Sequence, residues 1–323
     1  QYRNFTETDL ERCMAVLADP DVSGWVHGDL LWRSEYAHLP SAKLVQLAST
    51  LLEKPNGSNL LLDALGMRLH NAGDAEDGLG NELRKLGLEA ATLQIQRDRD
   101  GSDMVDHHLA EVLNACLSHG GHNAEKINWL DALFTAIDAS YGSGPDYESA
   151  IATTAAAMPD DFLDRVFQGT DDQQRYRKRQ LEHVSHRRSV LGDIEIERLI
   201  AWGQAQTDPQ VWKILANGLS VFTPSGDSDR VRLADGCIQF LEASPNPVDV
   251  LNGYAEQIMP NGWSGSRADI MTRNTDALRV LLEHEDQAIR DAARQVVTQA
   301  RTWETAERAR EKQADEAKEQ SFE

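Results

Sequence analysis

Apolar residues recur every three or four positions along almost the whole sequence, in runs cut at short intervals by proline, glycine and aspartate. That period lines up side chains on one face of an α-helix, whereas a half-buried strand needs strict alternation. Thr8 or Asp9 caps a first helix carrying Leu10, Cys13, Met14 and Leu17, stopped by Asp19-Pro20. Asp21 to Leu39 supplies a second, with Trp25, Leu30, Leu31 and Trp32. Pro40-Ser41 opens a third with Leu44, Leu47, Leu51 and Leu52, and a fourth runs from Ser58 through Leu61, Leu62, Leu65 and Leu69. Further helices are predicted over Leu79 to Gln96, Met104 to Leu117, Ala124 to Ser140, Tyr147 to Met158, Asp160 to Phe167, Gln173 to Val184 and Val190 to Gln204. In the last third they run from Asp208-Pro209 through Leu219, then over Val231 to Leu241, Val248 to Met259, Ala268 to Leu282 and Ala288 to Lys318.

Few stretches show the alternation or the Val/Ile/Thr enrichment of strands. Aromatic residues make up only 6% of the chain, which suits helices packed through small and γ-branched side chains better than a sheet sandwich. Helices of roughly 12–18 residues joined by short loops are what an array of helical hairpins requires. The spacing of successive hairpins, about 35–45 residues, lies in the range of helical repeats, without a strict period. The expected fold is therefore all-α, an irregular α-solenoid of antiparallel helix hairpins, with an irregular helical bundle as the alternative. It is expected to form one helical-repeat domain over 1–323, subdivided into an N-terminal helical part, 1–141, and a C-terminal part, 146–323, that ends in a polar helix.

Acidic residues number 53 against 32 basic ones, for a formal net charge of -21. Such a surface repels the nucleic-acid backbone and anionic membranes over most of its area, while a basic partner, or mimicry of DNA by the acidic surface, stays open. Cys13, Cys116 and Cys237 are far apart, each in an apolar helical run, which argues against disulfides and zinc and for a reducing cytoplasm. No apolar run approaches the roughly 20 residues needed to span a bilayer. The chain begins at Gln1, and the first residues read as the end of a linker, so a larger parent protein is expected.

The segment Leu282-Glu283-His284-Glu285-Asp286-Gln287-Ala288-Ile289-Arg290-Asp291-Ala292-Ala293-Arg294 resembles the turn and second helix of a HEAT repeat, with Asp286 near the turn and Arg290 a few residues into the helix. Asp19-Pro20-Asp21-Val22 and Asp208-Pro209-Gln210-Val211-Trp212 echo the same turn without the arginine. The resemblance implies a HEAT-like array. The stretch Gly262-Trp263-Ser264-Gly265-Ser266-Arg267 and onward is similar to the ends of large bacterial proteins, some of which carry a nucleotide-binding switch domain and act in phage defence. That similarity implies a helical sensor or scaffold portion of such a protein. No GxxxxGK[ST] loop is present in this sequence.

Two local features stand out as candidate binding sites. Gln173 to Arg188 holds Arg175, Arg177, Lys178, Arg179, Arg187 and Arg188, with His183 and His186, against the single acid Glu182. Guanidinium forks in such a cluster suit a phosphate-bearing ligand, nucleic acid or an acidic partner; alternatively they neutralise acidic helices nearby. The loop with Trp263 and Arg267 combines two residue types common at binding hot spots, with Gly262 and Gly265 free to take positive φ and Ser264 or Ser266 able to cap the next helix. Its alternative role is to anchor the loop on an adjacent hairpin.

His107 and His108 point about 100° apart on a helix and do not form a ligand pair, and His119-Gly120-Gly121-His122 reads as a helix C-terminus, so no metal is expected. GxSxG and HExxH are absent from the sequence, and neither an enzyme nor a cofactor is expected. The residues from Thr302 to Glu323 read as a solvated, fraying terminal helix. A protein partner recognised through a concave face or loops is the first expectation for function, and nucleic-acid or phosphate binding through residues 175–188 is the second.

Overall fold

A computed structural model describes residues 7–18, 41–54, 56–72, 80–97, 103–140, 147–182, 184–185, 188–225, 230–260 and 262–322. The helix expected over Asp21 to Leu39 lies outside these residues, as do the Asp19-Pro20 turn, His183, His186 and Arg187. The described chain is all-α apart from two short antiparallel ribbons, and it divides into two compact units, Gln1–Gln180 and Leu181–Glu323. No helix among the described residues is long and apolar enough to cross a membrane.

The first unit contains α1 (Glu7–Ala18), α2 (Ser41–Leu52), α3 (Gly57–Ala72), α4 (Asn81–Arg97), α5 (Asp103–Leu117), α6 (Asn123–Ala139), α7 (Glu148–Ala157), α8 (Pro159–Phe167) and α9, which runs from Asp171 to Glu182. The apolar residues read from the periodicity fill its core: Leu47, Leu51, Leu61, Leu62, Leu130 and Leu133 are all buried. From α2 to α4 each helix packs on the next and again on the next but one, so that α2 meets α3 and α4, α3 meets α4 and α5, and α4 meets α5 and α6, while α5 meets α7. Trp129 is fully buried, with its indole N–H donating to Thr154 Oγ1 at 3.0 Å. Burying a tryptophan without such a partner would leave an unsatisfied donor. Pro159 sits in the first turn of α8, where its missing N–H costs nothing.

The second unit holds α10 (Ile196–Ala205), α11 (Gln210–Gly218), α12 (Asp235–Ala243), α13 (Pro247–Glu256), α14 (Arg267–Leu278), a 3₁₀ turn (Arg279–Glu283) and the long α15 (Gln287–Phe322). The pattern of alternate partners continues, α10 on α12, α11 on α13 and α13 on α15. At the α11–α13 crossing the backbones come close: a Cβ built on Gly253 would lie 2.8 Å from the Ala216 Cβ and 2.7 Å from Asn217 Oδ1. Trp212 on α11 and Phe240 on α12 meet at a tilt, with ring centroids 4.9 Å apart.

Several boundaries differ from the sequence expectation. β1 (Val184–Ser185) pairs with β2 (Arg188–Ser189), so the helix expected to reach Val184 ends earlier and the one expected from Val190 starts only at Ile196. β3 (Phe222–Pro224) pairs with β4 (Val231–Leu233), and the helix expected from Val231 begins instead at Asp235. Over three residues, helical and extended periods cannot be told apart, and the aromatic and β-branched side chains here favour the strand. Pro224 ends its strand, where no ladder donor is required.

The Gly253 crossing makes a prediction against local propensity. Alanine is the better helix former by about 1 kcal/mol, yet Gly253→Ala is expected to lower unfolding free energy by about 1–2 kcal/mol because Ala216 and the Lys213 carbonyl cannot swing aside. Urea denaturation followed by circular dichroism measures it, and a variant as stable as the parent would refute the close approach.

Candidate binding surfaces

The basic stretch begins with a reciprocal cap. Thr170 N–H donates to Gln173 Oε1 at 3.0 Å, and Gln173 N–H points back to Thr170 Oγ1 at 3.4 Å, which fixes the start of α9. From there Arg177 turns inward and is 9% exposed. Its Nε and Nη2 grip both oxygens of Asp138 at 2.8 and 2.6 Å. Its Nη1 donates to the carbonyls of Arg165 and Gln168 at 2.7 and 3.0 Å, while its plane lies 5.2 Å from the centre of the Phe134 ring. Four of its five N–H groups are engaged within the fold, so Arg177 fastens α9 to α6 and to the end of α8.

The neighbours of Arg177 are disposed differently. Arg175 is exposed and pairs with Asp172 at 3.0 Å. Lys178 donates to Gln174 Oε1 at 2.9 Å and hangs over the Phe167 ring. Arg179 is exposed. The Arg188 backbone belongs to β2, pairing with Ser185. The predicted cluster thus has Arg175 and Arg179 outward on α9, Lys178 half-buried, and Arg177 withdrawn into the core.

The Trp263 loop leads into α14. Gly265 takes a φ of 81°, as the sequence allowed, and Ser266 caps the helix by accepting from Asp269 N–H at 3.1 Å. Trp263 is 47% exposed. The Arg267 guanidinium lies against its indole, 4.5 Å from the ring centroid, and Glu307 on α15 reaches the same guanidinium at 3.9 Å. Arg267 Nε is buried and has no hydrogen-bond partner among the described residues.

Behind this loop stands a residue the sequence had pointed to only as part of a solvated tail. Glu311, on α15, accepts from the Ser266 hydroxyl at 2.8 Å and from the backbone N–H groups of Arg267 and Ala268 at 2.6 and 3.1 Å. A carboxylate here meets unsatisfied donors and the positive end of the α14 dipole together. Partial burial alone would raise the Glu311 pKa, but these hydrogen bonds and the nearby Arg308 charge bring it below the usual carboxylate range. Arg308 also pairs with Asp269 at 3.0 Å and Arg301 with Asp276 at 2.5 Å. The helix expected to fray from Thr302 is therefore held as far as Glu311, and only beyond it does the exposed terminal stretch match that expectation.

The same device occurs in the first unit. Asp106 on α5 is buried and accepts from the N–H groups of Ser149 and Ala150 at 2.9 and 3.1 Å, capping α7. Where α5 ends, Lys126 takes the carbonyls of Leu117 and His119, at 2.7 Å for the first, and burial lowers its pKa. The His119 ring nitrogen meets the Ala115 carbonyl at 2.9 Å, in keeping with a helix C-terminus. His108 pairs with Asp63 at 2.9 Å, and His107 lies 3.4 Å from Glu111. Among the described residues no three His, Cys, Asp or Glu side chains gather in a metal-binding group. Burial pushes the Cys116 thiol up to about 12 and the Cys237 thiol to about 11, so both are protonated and unreactive at neutral pH.

Asp286 accepts from the N–H groups of Ala288 and Ile289 at 2.6 and 3.4 Å, and Arg290 ties the His284 and Glu285 carbonyls. Asp208 caps α11 through Gln210 N–H at 2.9 Å. These turns use local contacts that the sequence displays. The Asp106, Asp138 and Glu311 contacts join residues 39 to 45 positions apart, and no short motif announces them. Comparisons with protein-family models, curated proteins and solved structures gave no match for this chain.

Two measurements check these assignments. Arg177→Met leaves the Asp138 carboxylate with no cation, held only by Gln173 Nε2, and frees two carbonyls, and is expected to cost about 3 kcal/mol of stability by urea titration; a loss within error of zero would return Arg177 to the surface patch. For Glu311, a depressed folded pKa means that its stabilisation is complete above the unfolded carboxyl pKa and is lost as pH falls through the folded value. Glu311→Gln should therefore melt below the wild type at neutral pH, the gap closing as pH drops below about 4. Melting curves that stay parallel down to acid pH would exclude the contact.

Proposed function

We propose that this chain is a recognition or scaffold module, a HEAT-like α-solenoid of antiparallel hairpins, that docks a protein partner around Trp263 and Arg267. The alternate-helix packing of both units supports the solenoid, since stacked hairpins put every second helix in one row. The observation that carries the docking site is Trp263 itself: a tryptophan 47% exposed, on a loop whose frame is fixed by the Ser266 cap and by Arg267. A large aromatic surface held in place in the free protein loses little conformational freedom on binding, which is what makes such residues interface anchors. In this proposal the chain carries no catalytic residue and acts in the cytoplasm. The similarity of the Gly262–Arg267 stretch to the ends of large bacterial proteins supports a sensor or scaffold portion of a phage-defence protein.

A second reading is kept by the outward placement of Arg175 and Arg179 on α9: with Lys178 they make a local basic surface that binds nucleic acid or another phosphate-bearing ligand. The two differ in their response to salt, because phosphate contacts weaken steeply with ionic strength and an aromatic anchor does not.

Affinity capture from a lysate of the source cells, with wild type, Trp263→Ala and Arg175→Glu/Lys178→Glu/Arg179→Glu as baits, separates them. The expected outcome is a protein retained at high salt by wild type and by the charge-reversed variant, and held about 30-fold more weakly by Trp263→Ala, as for an anchor worth about 2 kcal/mol. Salt-sensitive capture of nucleic acid, abolished by charge reversal and indifferent to Trp263, would overturn the proposal.

A further inference from the structure

The long terminal helix is held to the second unit by two kinds of contact, divided at one point along its length. Up to Ala300 it is fastened by apolar burial: Ile289, Ala292, Ala293, Val296 and Ala300 are all buried. Among the described side chains after Ala300 none is fully buried, and Trp303, half-buried, is the one large apolar side chain before Phe322 in the sequence. Over that second stretch Trp303 is the one large apolar contributor, and the rest of the attachment is ionic. Arg301 meets Asp276 at 2.5 Å, Arg308 meets Asp269 at 3.0 Å, and Glu311 sits on the first turn of α14. Glu304 bridges the two arginines at 2.6 and 3.6 Å along the helix itself. From Lys312 to Lys318 the side chains are exposed, and the ion pairs there, Lys312–Glu316 and Lys318–Asp315, stay within α15.

We propose that residues 301–311 form an ionic strap, closed on α14 at low ionic strength and released as a unit at high ionic strength, while residues 287–300 stay docked. Half-exposed charge pairs act through solvent, and the distance over which they act shrinks from about 10 Å at 0.1 M salt to about 3 Å at 1 M. Apolar burial does not weaken in this way, and salt strengthens it where the anion is strongly hydrated. The boundary between the two regimes therefore falls at Ala300. Release withdraws Glu311 from the α14 N-terminus and Glu307 from Arg267, so the strap also governs how firmly the Trp263 loop is framed. The strap is a property of this helix alone and stands whether or not the loop binds a partner.

Hydrogen exchange read by mass spectrometry on the full chain, at about 0.05 M and about 1 M NaCl, tests it. The amides of 289–300 serve as the internal reference for any general effect of salt. The expected result is a loss of protection of at least tenfold over 301–311 at high salt, with 289–300 unchanged. A second protein, Arg301→Gln/Arg308→Gln/Glu311→Gln, should show the released pattern already at low salt and gain nothing further from salt, with 289–300 still protected to report that it is folded. Protection over 301–311 that is the same at both salts, or that falls in step with 289–300, would overturn the strap.

Discussion

The first turn of every α-helix presents backbone N–H groups that no residue of the helix can accept, and a fold made of many short helices has many such ends to satisfy. Some are closed locally, by Ser266 on α14, Asp208 on α11, Asp286 on α15 and the Thr170–Gln173 pair on α9. Others are closed by a carboxylate on a different helix: Asp106 reaches from α5 to α7, and Glu311 from α15 to α14. The second solution does more than satisfy donors. It fixes the register of one helix against another through a directional contact, where apolar packing between Ala- and Leu-rich faces allows sliding.

The excess of acidic residues is partly explained by this arrangement. Carboxylates are the side chains that helix N-termini favour, and two of the 53 in this chain, Asp106 and Glu311, serve the first turn of a neighbouring helix. Arg177 belongs to the same logic with the sign reversed, since it collects the carbonyls of Arg165 and Gln168 where α8 ends.

Helices were legible because their signal is local: Leu61, Leu62 and Leu65 mark a buried face whatever the rest of the chain does, and Asp208 and Ser266 mark starts by their own chemistry. The two ribbons were not, because β3 needs β4 for its definition and a pairing across Thr223 and Arg232 leaves no periodic trace in three residues. The candidate sites divide along the same line. The loop geometry around Trp263, including the positive φ at Gly265, could be read from composition. That Arg177 faces inward while Arg175 and Arg179 face outward follows from where Asp138 and Phe134 lie, and those positions are set by the tertiary fold.

The grip of Arg177 bears on how the first unit comes apart. One side chain joins the last turn of α6, the two carbonyls at the end of α8, and the middle of α9, so none of these three segments can leave without breaking contacts of the other two. Fraying inward from the end of this unit would accordingly meet a step and not a slope. A fragment cut between α8 and α9 would leave the Asp138 carboxylate with no cation across from it, which makes α9 an integral part of the body it closes.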